Sequence, residues 1–392
     1  MPWTAYQRFL RQRTDSGQLR ALRSVGPARS GWIVQDHRLL LNFSSNDYLG
    51  LAHHPALIQR AIEWTRQWGA GATASRLVCG NLELFDRVES RLARGKRTET
   101  ALILNSGFQA NATLLAALLD RSTLGQAPLV FTDRLNHASL HHGCLAAGAR
   151  EIRYRHNDLD HLETLLARHQ EQPGPRFIVT ESVFSMDGDR IDLPELLALK
   201  ERFGAFLYLD EAHATGVLGA DGFGLAAEHA ARVDLIMGTF SKGLGGFGAY
   251  AACSRALREY LVNRCSGLIY STALPPGTLG AMDAALELLP TLGETRSRLL
   301  ANAARTRDRL RALGLNTGDS STQILPVILG GAVEALDASR MLEEREAIRV
   351  VPIRPPTVPP GTARLRISLT AAHTEADLER LVTALAKLGT PS

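Results

Sequence analysis

Thr239-Phe240-Ser241-Lys242-Gly243-Leu244-Gly245-Gly246-Phe247-Gly248 is the stretch on which the fold turns, a lysine set between the apolar run Leu235 to Met237 and a glycine-rich turn. Gly243, Gly245 and Gly248 satisfy the G-x-G-x-x-G pattern of dinucleotide-binding folds, but that pattern should open a helix and meet an acid about 20 residues on. Here the turn runs into Ala249-Tyr250-Ala251-Ala252-Cys253, which is strand-like, and Gly267 to Tyr270 contains no acid. The lysine, rather than a nucleotide loop, is then the functional element. An ammonium at its usual pKa of about 10.4 is a poor nucleophile, but apolar surroundings and a neighbouring cation drive it toward the amine, which can form a Schiff base with an aldehyde. Glycines after it let the backbone lie against a flat ligand, and Thr239 and Ser241 offer hydroxyls to a phosphate.

Working outward, apolar strand-like runs recur at Ala101 to Leu104, Leu129 to Thr132, Glu151 to Tyr154, Phe177 to Thr180, Ala205 to Leu209 and Leu235 to Met237. Several are separated by helical stretches such as Leu193 to Arg202. This alternation predicts an α/β fold with a mainly parallel sheet covered on both faces, with ligands at the carboxyl ends of its strands. Those ends carry Asn105 to Asn111 leading into a helix through Leu119, then His137, then Glu181 to Asp189, then Asp210-Glu211-Ala212-His213. Free N–H groups at the start of that helix suit a phosphate. A carboxylate such as Asp210 at the end of an apolar strand is costly to bury unless a cation, for instance a protonated pyridine nitrogen, meets it. The alternative for Asp210 is a helix cap or a structural ion pair, and for His137 an ordinary surface or core histidine.

Ahead of the sheet, Thr4 to Arg23 has a helical rhythm, Arg38 to Phe43 reads as a strand, and Ser44 to Gly50 as a polar loop suited to a ligand. Gly69 to Gly80 reads as a loop leading to a helix over Leu82 to Leu92. Behind the sheet, Leu289 to Leu313 is helix-compatible, with strands at Gln323 to Leu329 and Arg349 to Ile353. In Ala363 to Ser368, Arg364 and Arg366 share one strand face, and a guanidinium fork matches a carboxylate; edge-strand arginines facing water are the alternative. The expected division is an N-terminal segment 1–45, a large domain 46–285 and a smaller α+β domain 286–392.

Bulk properties narrow the class. The 392 residues, 45% apolar and 21% charged, suit a globular enzyme, and no apolar run reaches the roughly 18 residues of a membrane span. The net charge of +4 is spread over arginines, which suits anionic small substrates rather than nucleic acid. Cys79, Cys144, Cys253 and Cys265 show neither paired nor metal-ligand spacing, so neither disulfides nor a metal site is expected, and the location expected is cytoplasmic.

Taken together, Leu41 to Leu51, Val183 to Asp189, Asp210 to Gly216, Thr239 to Lys242 and Ile353 to Arg366 resemble the α-oxoamine synthases, a group of fold-type I pyridoxal-phosphate enzymes with an aspartate-aminotransferase-like fold and a seven-stranded sheet. The likeness spans nearly the whole chain and is greatest to the biotin-pathway branch. It implies pyridoxal 5'-phosphate held covalently by Lys242, Asp210 at the pyridine nitrogen and His137 stacked on the ring. Ser185 and His213 would neighbour the ring oxygen, and Gly107, Phe108 and Thr239 the phosphate. Asn46 and Arg366 are implied for the amino-acid carboxylate, with His137 also near substrate, and Arg20, Arg354 and Thr357 for the acyl substrate or product. The implied reaction is decarboxylative condensation of L-alanine with pimeloyl-CoA or its carrier-protein thioester, in a homodimer where Ser271 and Thr272 reach the partner's cofactor. Phe85 stands where many members of the group have a histidine and Cys79 where a serine is frequent, and the resemblance implies that both border the acyl channel. Rival readings are the sister condensations of glycine with acetyl-CoA or succinyl-CoA, and a non-catalytic protein on the same fold.

Overall fold

The computed structural model describes residues 2–16 and 18–388. Its strands in chain order are β1 (Val25–Gly26), β2 (Trp32–Gln35), β3 (Arg38–Asn42), β4 (Thr100–Leu104), β5 (Leu129–Asp133), β6 (Glu151–Tyr154), β7 (Arg176–Glu181), β8 (Phe206–Asp210), β9 (Leu235–Thr239), β10 (Ala249–Cys253), β11 (Ile324–Gly330), β12 (Ile348–Arg349), β13 (Val351–Ile353) and β14 (Ala363–Ser368). The chain forms two compact units, one of Met1–Ser45 with Asn302–Ser392, the other Asn46–Ala301. The first 45 residues thus share a unit with the C-terminal portion, and the larger unit runs on past 285.

The larger unit is built on a seven-stranded sheet in the order β4-β10-β9-β8-β7-β5-β6. Pairings from β6 through β9 are parallel, and β10 is antiparallel to both β4 and β9. Both faces are buried because the central strands carry apolar residues on both of their faces. Leu102, Leu104, Phe177, Val179, Tyr208, Leu235 and Met237 pack into one core. The alternate residues Ile103, Ile178, Leu207, Leu209 and Ile236 are equally buried on the opposite face. Polar residues begin where this pattern stops: Asp133, Glu181, Asp210 and Thr239 each end a parallel strand and lie along one edge of the sheet. The register sets Glu181 directly beside Asp210, and Asp210 beside Met237.

The smaller unit holds two sheets, β1-β2-β3-β12 and β11-β14-β13. Three local expectations are corrected across the two units, and one alternative is excluded. The N-terminal helix is Pro2–Asp15, ending where the polar pair Asp15-Ser16 breaks the apolar rhythm, rather than reaching Arg23. Residues 348–353 form two short strands in different sheets, β12 beside β3 and β13 beside β14. The run from Leu289 opens as a 3-10 turn, Leu289–Leu292, before the α-helix Gly293–Ala312. And β14 is a central strand whose six residues are all buried, so Arg364 and Arg366 are not edge-strand side chains facing water. In the larger unit, the loop expected over Gly69 to Gly80 ends in a wide helical turn, Arg76–Gly80.

Candidate active site

At the carboxyl edge of the large sheet a cavity of about 170 Å³ is lined by Gly107, Phe108, His137, Glu181, Asp210, His213, Thr239 and Lys242, among others. The expected residues of the larger unit therefore converge, apart from Ser185 and Asn46, which are buried or half-buried in neighbouring loops. Lys242 leaves the sheet just after β9, in a turn closed by Phe240 N–H to Gly248 carbonyl at 2.9 Å and Gly246 N–H to Phe240 carbonyl at 2.8 Å. Gly245 in that turn has φ of 64°, and a Cβ there would fall 2.4 Å from the Ala52 nitrogen. Only glycine fits.

The amine Nζ of Lys242 lies 2.9 Å from His213 Nε2. On the other side of that ring, Nδ1 lies 2.6 Å from the Tyr48 hydroxyl, which donates to Asn46 Oδ1 at 3.2 Å. With Tyr48 donating onward, its oxygen is left to accept from His213 Nδ1–H, which makes Nε2 the acceptor that faces Lys242. The line Lys242–His213–Tyr48–Asn46 can hold or pass a proton.

Asp210 accepts from Asn111 Nδ2 at 2.7 Å and from the Ala212 N–H at 2.8 Å. Asn111 is itself fixed by the Tyr208 hydroxyl, which donates to its Oδ1 at 2.7 Å. Beside Asp210, burial and then the Asp210 charge push the Glu181 carboxyl well above the usual range. Glu181 Oε1 accepts the backbone N–H of His137 at 2.5 Å. The His137 ring takes the Ser139 N–H on Nδ1 at 3.3 Å, with the Ser139 hydroxyl at 2.6 Å. Burial lowers the His137 pKa and outweighs the opposing charge of Asp210, with the Lys242 charge acting in the same direction as burial, so at neutral pH the ring is mainly uncharged.

The helix Gly107–Leu118 starts against β9: a Cβ on Gly107 would lie 2.7 Å from Thr239 Cγ2. Thr239 Oγ1 is buried without a hydrogen-bond partner among the described residues. An orphaned hydroxyl beside a helix start fits an anionic group such as a phosphate. Sequence reasoning gave no role to Tyr48, Asn111, Ser139 or Glu181. For Glu181 the signal was available, since it is an acid ending an apolar strand just as Asp210 is.

Gln109 Nε2 donates to Ser271 Oγ at 2.6 Å and Asn105 Nδ2 to the Thr272 carbonyl at 2.8 Å, which ties the segment 271–272 to the start of that helix. Of the two departures, Phe85 is buried with the Arg76 guanidinium 4.0 Å from its ring centre, and Cys79 is exposed in the 76–80 turn.

The remaining expected residues belong to the smaller unit. Arg20, Arg354 and Thr357 line a cavity of about 700 Å³ there, together with Arg23, Arg340 and Arg349. Burial and then the charge of Arg20 lower the Arg354 pKa, a setting of like charges that an anion would relieve. Arg366 is buried in β14 and donates from Nη1 to Ser368 Oγ at 2.7 Å.

The comparisons agree with this architecture. A protein from Magnetococcus marinus named putative 8-amino-7-oxononanoate synthase is 61% identical over 98% of this chain and 97% of its own. An 8-amino-7-oxononanoate synthase from Gluconacetobacter diazotrophicus is 59% identical over 97% of both chains. Among solved structures, serine palmitoyltransferase from S. paucimobilis with bound PLP–myriocin aldimine superposes with a TM-score of 0.90 at 27% identity, covering 98% of this chain and 96% of that one. The profile of aminotransferase class I and II matches residues 38–385. With its seven-stranded sheet and the lysine at its edge, the chain belongs to the aminotransferase class I and II family and has the fold-type I architecture of pyridoxal-phosphate enzymes.

Proposed function

We propose that this protein is an 8-amino-7-oxononanoate synthase that joins L-alanine to a pimeloyl thioester with loss of carbon dioxide and release of the thiol, a step of biotin biosynthesis. The observation that carries the reading is the convergence of Lys242, His213, Asp210, His137, Thr239 and Gly107 on one cavity, in a chain about 60% identical to proteins of that name. Pyridoxal phosphate, when bound, supplies an aldehyde for attachment and a ring that accepts the electron pair left by the broken bond.

The residues present fit that group: Asp210 would face the ring nitrogen, Thr239 Oγ1 and the N–H groups at Gly107 and Phe108 the phosphate, and Ser185 and His213 the ring oxygen. Lys242 is the group that carries the cofactor and afterwards takes the proton from the substrate carbon, with His213 Nε2 at 2.9 Å able to accept a hydrogen from its amine. Neutral His137 covers the ring without adding a second cation beside it. Asn46 and Arg366 are assigned to the amino-acid carboxylate, and Arg20, Arg354 and Thr357 to the acyl portion or product.

The proposal includes a homodimer, supported by the exposure of Leu77, Val78, Phe108 and Tyr270 around the tied segments 75–80, 105–109 and 270–272. It also includes a cytoplasmic location; no described helix is long and apolar enough to cross a membrane. A thiol-release assay of alanine and glycine against pimeloyl-, acetyl- and succinyl-CoA tests the substrate assignment. Turnover of alanine with pimeloyl-CoA is expected, and turnover of glycine with a short thioester alone would overturn it.

A further inference from the structure

Away from Lys242 and Asp210, three titratable side chains meet beside β5 and β7. His156, which follows β6, has Nδ1 3.0 Å from Asp133 Oδ1, and its Nε2 lies 3.2 Å from Asp189 Oδ2. The Phe184 ring stands edge-on to the imidazole, centroids 4.4 Å apart at 88°. Asn157 stitches the same two acids, its N–H donating to Asp133 Oδ2 at 2.7 Å and its Nδ2 to Asp189 Oδ2 at 2.8 Å. Asp133 and Asp189 are both buried and are the charged groups that face His156 among the described residues. Two carboxylates out of water need a cation between them. Burial alone would push the imidazole down, but the two acids outweigh it and raise its pKa to about 10, so it is an imidazolium at neutral pH.

Each acid also organises a loop: that of Asp133 reaches the cavity through His137, and that of Asp189 carries Ser185 beside it. Asp133 Oδ1 accepts the Leu135 N–H at 2.8 Å and its carbonyl the Asn136 N–H at 3.2 Å, which shapes the turn delivering His137. The Asp189 carbonyl accepts the Phe184 N–H at 3.2 Å, and Val183 bridges to Arg190, closing the loop that bears Ser185.

We propose that the Asp133–His156–Asp189 cluster is a positioning device for the reaction, locking the turn of His137 to the loop of Ser185 and so fixing the spacing of the two residues that would meet the face and the oxygen of the cofactor ring. His156 acts through those loops and touches neither cofactor nor substrate. The inference rests on the cofactor reading of the site given above.

The test compares wild type with His156→Gln and Asp189→Asn by fluorescence titration of each apoprotein with pyridoxal phosphate, well below its unfolding temperature, and by kcat and KM in the thiol-release assay. His156→Gln is expected to bind the cofactor about 10-fold or more weakly and to lose about 10- to 100-fold in kcat, with KM for both substrates nearly unchanged. Asp189→Asn, which keeps the Asp133 contact, should move the same quantities less. A role confined to stability would lower the unfolding temperature and leave the cofactor affinity alone. Should His156→Gln fail to fold, Asp189→Asn and the ring nitrogen shifts of His156 in wild type at pH 8.5 decide: a charged ring supports the proposal and a neutral ring overturns it. Unchanged cofactor affinity in both variants overturns it as well. Borohydride trapping separates the two readings, since a wild-type adduct away from Lys242 would defeat the cofactor assignment, whereas an adduct at Lys242 with unaltered variant affinities would defeat the positioning role alone.

Discussion

Lys96 and Lys242, two of the four lysines in the chain, both leave the surface, and they differ in the partner that meets them. Lys96, at the end of the helix Glu83–Lys96, is fully buried and donates to Glu211 Oε2 at 2.8 Å and Thr215 Oγ1 at 3.2 Å, with the Tyr250 ring centre 5.1 Å away. Burial alone would pull its ammonium down, but the Glu211 charge outweighs that and holds it above the ordinary value. Lys242 instead presents its nitrogen to the imidazole of His213. Successive residues separate the two roles: Asp210 lines the cavity, and Glu211 serves Lys96. A carboxylate partner makes a lysine a fixed structural charge, and an imidazole partner leaves it able to exchange protons.

Removing each amine should break this contrast in opposite ways. Lys242→Ala is expected to lower kcat in the thiol-release assay by about 10³- to 10⁴-fold and to abolish borohydride trapping, while urea unfolding stays close to wild type. Lys96→Met should strand Glu211 in the interior and cost about 3–5 kcal/mol by urea unfolding, and most of that should return in Lys96→Met/Glu211→Leu. A Lys96→Met protein of unchanged stability would mean that the pair is not the fixed charge described.

The rule of partners also separates two histidines. His373 accepts the Thr370 N–H on Nδ1 at 3.1 Å and has Nε2 3.1 Å from the Asn42 carbonyl; burial lowers its pKa to about 4. The unfolded chain, near pKa 6.5, binds the proton first on acidification. Stability is therefore whole above about pH 6.5 and falls by roughly 3 kcal/mol as pH drops to about 4, a loss that urea unfolding of His373→Asn should lack. For His156 the sign reverses. Its raised folded pKa gives stability that is complete below about pH 6.5 and drains away as pH climbs through about 10. Thermal unfolding between pH 7 and 10 should show that decline in wild type and a flatter one in His156→Gln. The effect should be smaller than for His373, because the His156 side chain keeps 17% of its exposure.

The large sheet was legible because its central strands are apolar on both faces and β5, β7, β8 and β9 each stop at a polar residue, so Asp210, His137 and Lys242 could be placed along one edge from order alone. Arg364 and Arg366 were not, since whether a strand is central or marginal depends on partners such as β11 and β13, far away in sequence. Tyr48 and Asn111 escaped for a related reason: their roles come from contacts 165 and 99 residues distant, which no local spacing encodes. Glu181 was within reach of the strand-end argument, since like Asp210 it is an acid that closes an apolar strand.

The hairpin between β9 and β10 has one more implication. Paired across the sheet at Thr239 and Ala249, and lying so close at Gly245 to residues 51 and 52 that a side chain would not fit, the main chain beneath Lys242 is held at both ends. Any travel by the terminal nitrogen must come from rotation about its own single bonds, like a crane whose base is bolted down. Chemistry at this position is then separable from folding, and a cysteine at 242 alkylated with an aminoethyl group, nearly the same length, should restore a swinging amine on an unaltered scaffold.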